Sequence, residues 1–157
     1  MFAAMRSGSG KTTVTCGVLA ALKRRNIIVQ AYKCGPDYID PMFHRTVLGI
    51  DTGNLDTFFA DAGAIGRILA RDTKEADLVV MEGVMGYYDG VGGTTTMASS
   101  YELSRLTRTP VVLIVDAKGA SVTIAATIRG IMEYKMDSRI AGVILNRVSP
   151  MFYSRIK

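Results

Sequence analysis

One string of eight residues limits this chain more than any other: Arg6-Ser7-Gly8-Ser9-Gly10-Lys11-Thr12-Thr13, set between a short apolar segment and a helical pattern. A strand, a loop of small residues and a helix, in that order, make a phosphate-binding loop. Small residues let the backbone curl so that several N–H groups converge on one anion, and the helix behind points its positive end at that anion. Lys11 then reaches the β- and γ-phosphates, and the Thr12 hydroxyl ligates Mg²⁺. The usual pattern has a glycine where Met5 stands, so the first glycine of the loop is missing. A nucleotide site inside an α/β fold is expected.

At 157 residues, 48% apolar and 21% charged, the chain suits one domain with a real core. No apolar run is long enough to cross a bilayer and no leader pattern is present, so no membrane partner is expected. Cys16 and Cys34 are too few for a disulfide framework, and a reduced, cytoplasmic setting is expected. The net charge of +5 is dispersed apart from Lys23, Arg24 and Arg25, which close the first helix where cations favour the negative end of its dipole. Without a basic stripe interleaved with aromatics, nucleic acid is not expected as a partner, whereas an anionic substrate is compatible.

Strand and helix patterns alternate along the whole chain. Met1–Met5 reads as a short strand, Thr12–Arg25 as a helix with Val14, Val18, Ala21 and Leu22 on one face, and Ile27–Tyr32 as a strand. A long loop is expected from Lys33 through Asp56, broken by Gly35-Pro36 and Asp40-Pro41. Asp61–Arg71 reads as a helix capped by Asp61, with Ile65, Ile68 and Leu69 inward. Then come a strand at Asp77–Met81, a glycine-rich connection at Gly83–Thr95, helical spacing at Met97–Arg108 and the continuously apolar strand Pro110–Asp116. A helix at Ser121–Lys135 and a strand at Ile140–Asn146 follow. Such alternation builds right-handed βαβ units and a mainly parallel sheet with helices on both faces. Ser149–Lys157 opens one more element and stops, so a chain cut short at its carboxyl end is expected.

Ligands of parallel sheets bind at the carboxyl ends of the strands. Those ends carry Arg6–Thr13, Lys33–Asp40, Glu82–Asp89, Asp116–Lys118 and Asn146-Arg147, so the conspicuous polar residues share one rim. Glu82 closes a buried strand, where a carboxylate without a cation is costly, and stands where a carboxylate holds Mg²⁺ in nucleotide hydrolases. Asp37 and Asp40 lie within reach of the same ion, and Asp89 occupies a glycine-flanked turn. Lys33 suits either a phosphate or a substrate carboxylate, or is a snorkelling surface lysine. His44 is the only histidine, and no nucleophile turn or metal–thiolate spacing accompanies the cysteines. Positioning and charge neutralisation around Mg–ATP remain, which is how phosphoryl transfer generally works.

The string Lys33-Cys34-Gly35-Pro36-Asp37-Tyr38-Ile39-Asp40-Pro41-Met42-Phe43-His44 closely resembles the K-x-G-P-D-Y-I-D-P-x-F-H segment of cobyrinic acid a,c-diamide synthases. Asn54-Leu55-Asp56, Glu82 through Gly90 and Gly142 through Val148 are similar to that family in order and spacing, so the resemblance runs over essentially the whole chain. It implies a dethiobiotin-synthetase-like fold and amidation of the a- and c-side-chain carboxylates of a corrin in cobalamin synthesis. ATP would phosphorylate the carboxylate, and ammonia would displace phosphate from the acyl-phosphate. The ammonia would come from glutamine through a carboxy-terminal glutaminase domain that these 157 residues lack, making residues 1–157 the synthetase domain.

Carried over by position, Gly8, Ser9, Gly10, Lys11, Thr12 and Thr13 would bind the triphosphate, and Thr12, Asp37 and Glu82 would hold Mg²⁺. Lys11, Asp40 and Asp89 would be catalytic. Lys33, Tyr38 and Asp89 would meet the substrate, and Asn146 would read the adenine edge. Met5 and Arg6 depart from the small residues or proline of the family. A homodimer is compatible with the reading. The alternatives are another P-loop carboxylate ligase (dethiobiotin synthetase or cobyric acid synthase), against which the Gly35–His44 loop argues, and a partition-type switch ATPase. Arg6 stands at the signature-lysine position of the switch class, but Ser7 replaces its glycine.

Overall fold

Six strands form one sheet in which every pairing is parallel, in the order β3-β2-β4-β1-β5-β6. The computed structural model describes residues 1–156. In chain order the strands are β1 (Phe2–Ala4), β2 (Val29–Cys34), β3 (Thr52–Leu55), β4 (Leu78–Glu82), β5 (Val111–Asp116) and β6 (Ile140–Asn146). The helices are α1 (Lys11–Arg24), α2 (Ile39–Phe43), α3 (Ala62–Asp72), α4 (Ser100–Leu106), α5 (Thr123–Glu133) and α6 (Pro150–Ile156). Lys157, the end of the element expected from Ser149, lies outside the described residues. No helix among the described residues is long and apolar enough to cross a membrane.

Burial divides by the two-residue alternation of the strands. Tyr32, Cys34 and Met81 face a large core with Leu55, Ile65, Tyr101, Leu113 and Val115, against which Ile68 and Leu69 of α3 and Ile124 and Ile128 of α5 pack. Ala31 and Val80 face the opposite side, where Leu19 of α1 and Ile50 complete a smaller core. Lys33 and Glu82 stand two residues beyond Ala31 and Val80, so alternation puts both on the α1 side, paired directly across β2 and β4. The sheet thereby delivers a lysine and a glutamate to one spot above its carboxyl edge.

The expected α/β architecture is present, with three local corrections. The segment expected as a loop through Asp56 contains α2, a π-helical turn at His44–Leu48 and the strand β3. Pro41 fits inside α2 because the first-turn N–H groups of a helix have no partner within it, so the missing N–H costs nothing there. Thr-Gly-Asn-Leu is a poor strand sequence held by pairing along β2. The buried face of α1 is Lys11, Thr15 and Leu19, because its first turn must face the rim; of the expected stripe of Val14, Val18, Ala21 and Leu22, Leu22 packs against the smaller core and Ala21 is exposed. Helical spacing from Met97 becomes α4 only at Ser100, where the Ser99 hydroxyl accepts the Glu102 N–H. Asp61 does cap α3, accepting from Ala64 N at 2.7 Å.

Candidate active site

Between β1 and α1 the loop turns on two glycines with positive φ, Gly8 at 75° and Gly10 at 94°. Any other residue at Gly10 meets both left-handed strain and a collision of its Cβ with the Asn146 amide. Gly10 precedes α1 without a side-chain cap, so the first-turn N–H groups of a 14-residue helix face the rim. This is the arrangement that binds an anion. The loop closes on itself through the Ser9 hydroxyl, which donates to Arg6 O at 2.9 Å. Neither Met5 nor Arg6 prevents that turn.

The far strands brace the loop. Asn146 Nδ2 donates to Ser9 O at 2.9 Å, and Arg147 donates from one terminal nitrogen to Gly8 O at 2.6 Å and to Asp116 Oδ2 at 2.7 Å. Arg6 reaches the same Asp116 oxygen at 3.5 Å. Backbone donation from Lys118 comes first, and these two guanidinium groups then help, in holding the Asp116 carboxyl below its usual range. The sequence placed Asp116 and Arg147 at the rim without a role. The signals for them were their positions at the ends of β5 and β6 and, for Arg147, the motif from Gly142 to Val148.

Lys11 is buried and donates to Met85 O at 2.6 Å, with Arg6 O at 3.5 Å. Burial lowers its pKa and the Lys33 charge adds to that; Glu82 and Asp89 oppose them. Met85 holds a positive φ of 48°, a strained conformation for a residue with a side chain, and offers this carbonyl from it. Thr12 Oγ1 donates to Glu82 Oε1 at 2.6 Å and lies 3.4 Å from Asp40 Oδ2.

Lys33 is no surface lysine. It is 5% exposed, with Nζ 2.5 Å from Asp40, 2.8 Å from Glu82 and 3.8 Å from Asp37. Burial pushes its pKa down, but the Glu82 charge and the hydrogen bonds to Asp40 and Glu82 outweigh it and hold the ammonium above its ordinary value. All of these residues line a cleft of about 490 Å³ that includes Gly8, Gly10, Thr13 and Val84. Glu82 is 1% exposed, and its Oε2 has no hydrogen-bond partner among the described residues. An orphaned buried carboxylate oxygen beside a threonine hydroxyl suits a hard cation such as Mg²⁺. Asp40 stands nearer this pair than Asp37, whose Oδ1 accepts from Ile39 N at 2.9 Å.

Two other expected residues do not line this cleft. Tyr38 is 74% exposed. Asp89 accepts from Gly86 N at 3.0 Å and lines a separate cleft of about 520 Å³ with Tyr134 and Lys135. Asn54, in sequence only part of a motif, donates from its amide to Gly35 O at 2.9 Å and Asp37 O at 2.5 Å, tying the Gly35–Asp40 turn to β3.

His44 is buried behind this turn, with Nε2 3.4 Å from Cys16 Sγ and Nδ1 unpartnered. Burial holds its pKa below the ordinary 6.5, against the pull of Glu82 and Asp40. The unfolded chain therefore takes up the proton first. Stability is full above about pH 6.5 and is lost as pH falls through the lower folded-state pKa. Urea midpoints of the unsubstituted protein should drop from about pH 7.5 to about pH 5.5 by more than those of His44→Gln. Parallel drops in the two proteins would mean that His44 does not drive the loss. Cys34 is buried, which pushes its thiol up to about 12, so it packs rather than reacts.

Known proteins resemble this chain over most of its length. It is 43% identical over 159 residues to a protein of Listeria innocua named cobyrinate a,c-diamide synthase, covering 100% of this chain and 35% of that protein. To the hydrogenobyrinate a,c-diamide synthase of Streptomyces coelicolor it is 43% identical over 149 residues, covering 95% and 31%. To the protein of that name in Brucella suis it is 48% identical over 149 residues, covering 94% and 34%. The chain thus spans about a third of the length of these relatives. Residues 1–155 match the family described as the CobQ/CobB/MinD/ParA nucleotide binding domain, known as CbiA, and with the braced phosphate loop at its rim the chain belongs to that family.

Proposed function

We propose that residues 1–157 are the ATP-dependent, carboxylate-activating domain of a cobyrinate or hydrogenobyrinate a,c-diamide synthase, acting in cobalamin biosynthesis in the cytoplasm. The observation that carries this reading is the meeting of Lys11, Thr12, Lys33, Asp40 and Glu82 in one cleft, within a chain similar throughout to synthases of those names. Arg6, the residue that favoured a switch ATPase, is engaged with Asp116.

In this reading the loop N–H groups of Gly8–Thr13 bind the triphosphate. Lys11, aimed by Met85 O, meets the β- and γ-phosphates from where it stands, and Asn146 contacts the adenine edge. Thr12 and Glu82, with Asp37 and Asp40 at their side, hold Mg²⁺, which when bound neutralises phosphate charge. Lys33 draws the substrate carboxylate towards the γ-phosphate. A carboxylate oxygen attacks the γ-phosphorus, the bond to the β–γ bridging oxygen breaks, and ADP leaves. Ammonia then attacks the acyl carbon, inorganic phosphate departs, and nitrogen gives up a proton as the amide forms. Asp89 and Tyr38 guide the substrate from outside the phosphate cleft. The ammonia comes from glutamine hydrolysed by a separate domain of the same protein.

The test is ADP formation from Mg–ATP by the full polypeptide containing this chain, with cobyrinic or hydrogenobyrinic acid and ammonium added separately and together. The reading requires ADP release that depends on both. Release independent of the corrin would sink it.

A further inference from the structure

A third cleft adjoins the phosphate cleft and is of opposite character. It encloses about 410 Å³ between Pro36, Phe58, Phe59, Val84, Met85 and Val91, with Asp56 as its one charged lining residue. That carboxylate is already engaged, with Asp56 Oδ1 accepting from Phe58 N at 2.8 Å. Val84 and Met85 line both clefts, so the two meet at the residue whose carbonyl holds Lys11.

The phenylalanines are presented outward by a built turn. Ala60 N donates to Asp56 O at 3.0 Å, and Thr57 Oγ1 donates to Glu102 Oε2 at 2.8 Å, anchoring the turn to α4. The rings meet edge to face, 5.0 Å between centroids and 88° between planes. Phe58 is 58% exposed and Phe59 73%, so two large rings stand in solvent beside a phosphate site. Isolated exposed apolar residues are ordinary; a contiguous apolar wall continuous with a catalytic cleft marks a ligand surface.

We propose that this cleft seats the apolar ring body of the substrate whose carboxylate is activated, with Phe58 and Phe59 as the contacts that select a large, flat macrocycle. The proposal rests on the carboxylate-ligase reading and names the substrate subsite within it. A ring seated here has its rim at Met85, and a short acid side chain on that rim crosses from Val84 and Met85 to Lys33 and the phosphate loop. A corrin suits both halves. Its methyl-bearing faces lose water against the aromatic wall, and its carboxylates remain at the polar cleft. The cleft volume falls within the range of small-molecule sites, whereas a stable contact with a second copy needs a far wider face.

The measurement is steady-state kinetics on the full polypeptide, comparing the unsubstituted protein with Phe58→Ala and Phe59→Ala. Both rings are mostly exposed, so the substitutions leave folding intact, which thermal melting verifies. KM for the corrin should rise about ten-fold in each variant, the loss expected when one ring contact to a large apolar ligand is removed. KM for Mg–ATP should change less than about two-fold, which separates a substrate contact from general disruption of the rim. An unchanged corrin KM would overturn the subsite while leaving the ligase reading intact. Loss of dimer in sedimentation with an unchanged corrin KM would assign the face to a second copy and also overturn it. Absence of corrin-dependent ADP formation in the unsubstituted protein would instead remove the ligase reading, and the proposed occupant with it.

Discussion

Lys11→Ala should lower ADP formation by about a thousand-fold or more, because the transferring phosphoryl group loses the cation that neutralises its developing charge. The structure explains why water cannot replace this side chain. Lys11 is 8% exposed and is aimed by Met85 O and Arg6 O, so the ammonium is already oriented in a poorly solvated place. A charge fixed beforehand stabilises a transition state without reorganising, and in a site of low dielectric that advantage grows. Arginine does not restore it. Its wider guanidinium replaces a point charge fitted between two carbonyls and a helix start. Kinetics should show the loss in kcat as well as kcat/KM, with the melting temperature little changed. Loss of less than about ten-fold would place Lys11 outside the phosphoryl-transfer site.

The largest stability effect is expected at Glu82. Glu82→Leu removes the nearly buried partner of Lys33 and leaves a buried ammonium with Asp40 as its remaining close carboxylate and Asp37 at 3.8 Å. Breaking one side of a buried ion pair costs about 3–5 kcal/mol, and the retained Asp40 contact argues for about 3. The double variant Lys33→Met with Glu82→Leu should recover part of that loss, because the pair no longer buries a charge, although Asp40 then lacks the ammonium 2.5 Å away. It should nonetheless be inactive, since under the proposed function the cleft would lose both a carboxylate for Mg²⁺ and the cation for the substrate. Urea denaturation of the two single variants and the double variant closes the cycle. Additive losses would mean that Lys33 and Glu82 do not interact in solution.

These two residues also show what could be read before the fold was known. Glu82 was legible because a carboxylate at the end of Leu-Val-Val-Met demands a partner. Lys33 was legible only through the family motif, since by itself a lysine at a strand end suits a ligand or the surface equally until its neighbours are known. Only the order of the strands puts β2 beside β4 and Lys33 against Glu82, 49 residues away in the chain. The helical turns between Ile39 and Leu48 were hidden for a different reason. Gly35-Pro36 and Asp40-Pro41 carry local turn signals, and a first-turn proline is compatible with either a helix or a loop.

By itself, the sequence determined what acts over short range: the glycines that allow the phosphate loop to curl, the apolar runs that become parallel strands, the Asp61 cap and the family motifs. Capping and side-chain periodicity involve neighbours within a turn or two, so they are written locally. Tertiary structure alone decided which distant rim residues work together. It joined Thr12 to Glu82 across 70 residues and Asn146 to Ser9 across 137, and it separated Asp89 from the carboxylates of the phosphate cleft. The physical reason is that a parallel sheet gathers the carboxyl ends of its strands at one edge. Which of those ends become neighbours depends on strand order, and no local pattern encodes that order.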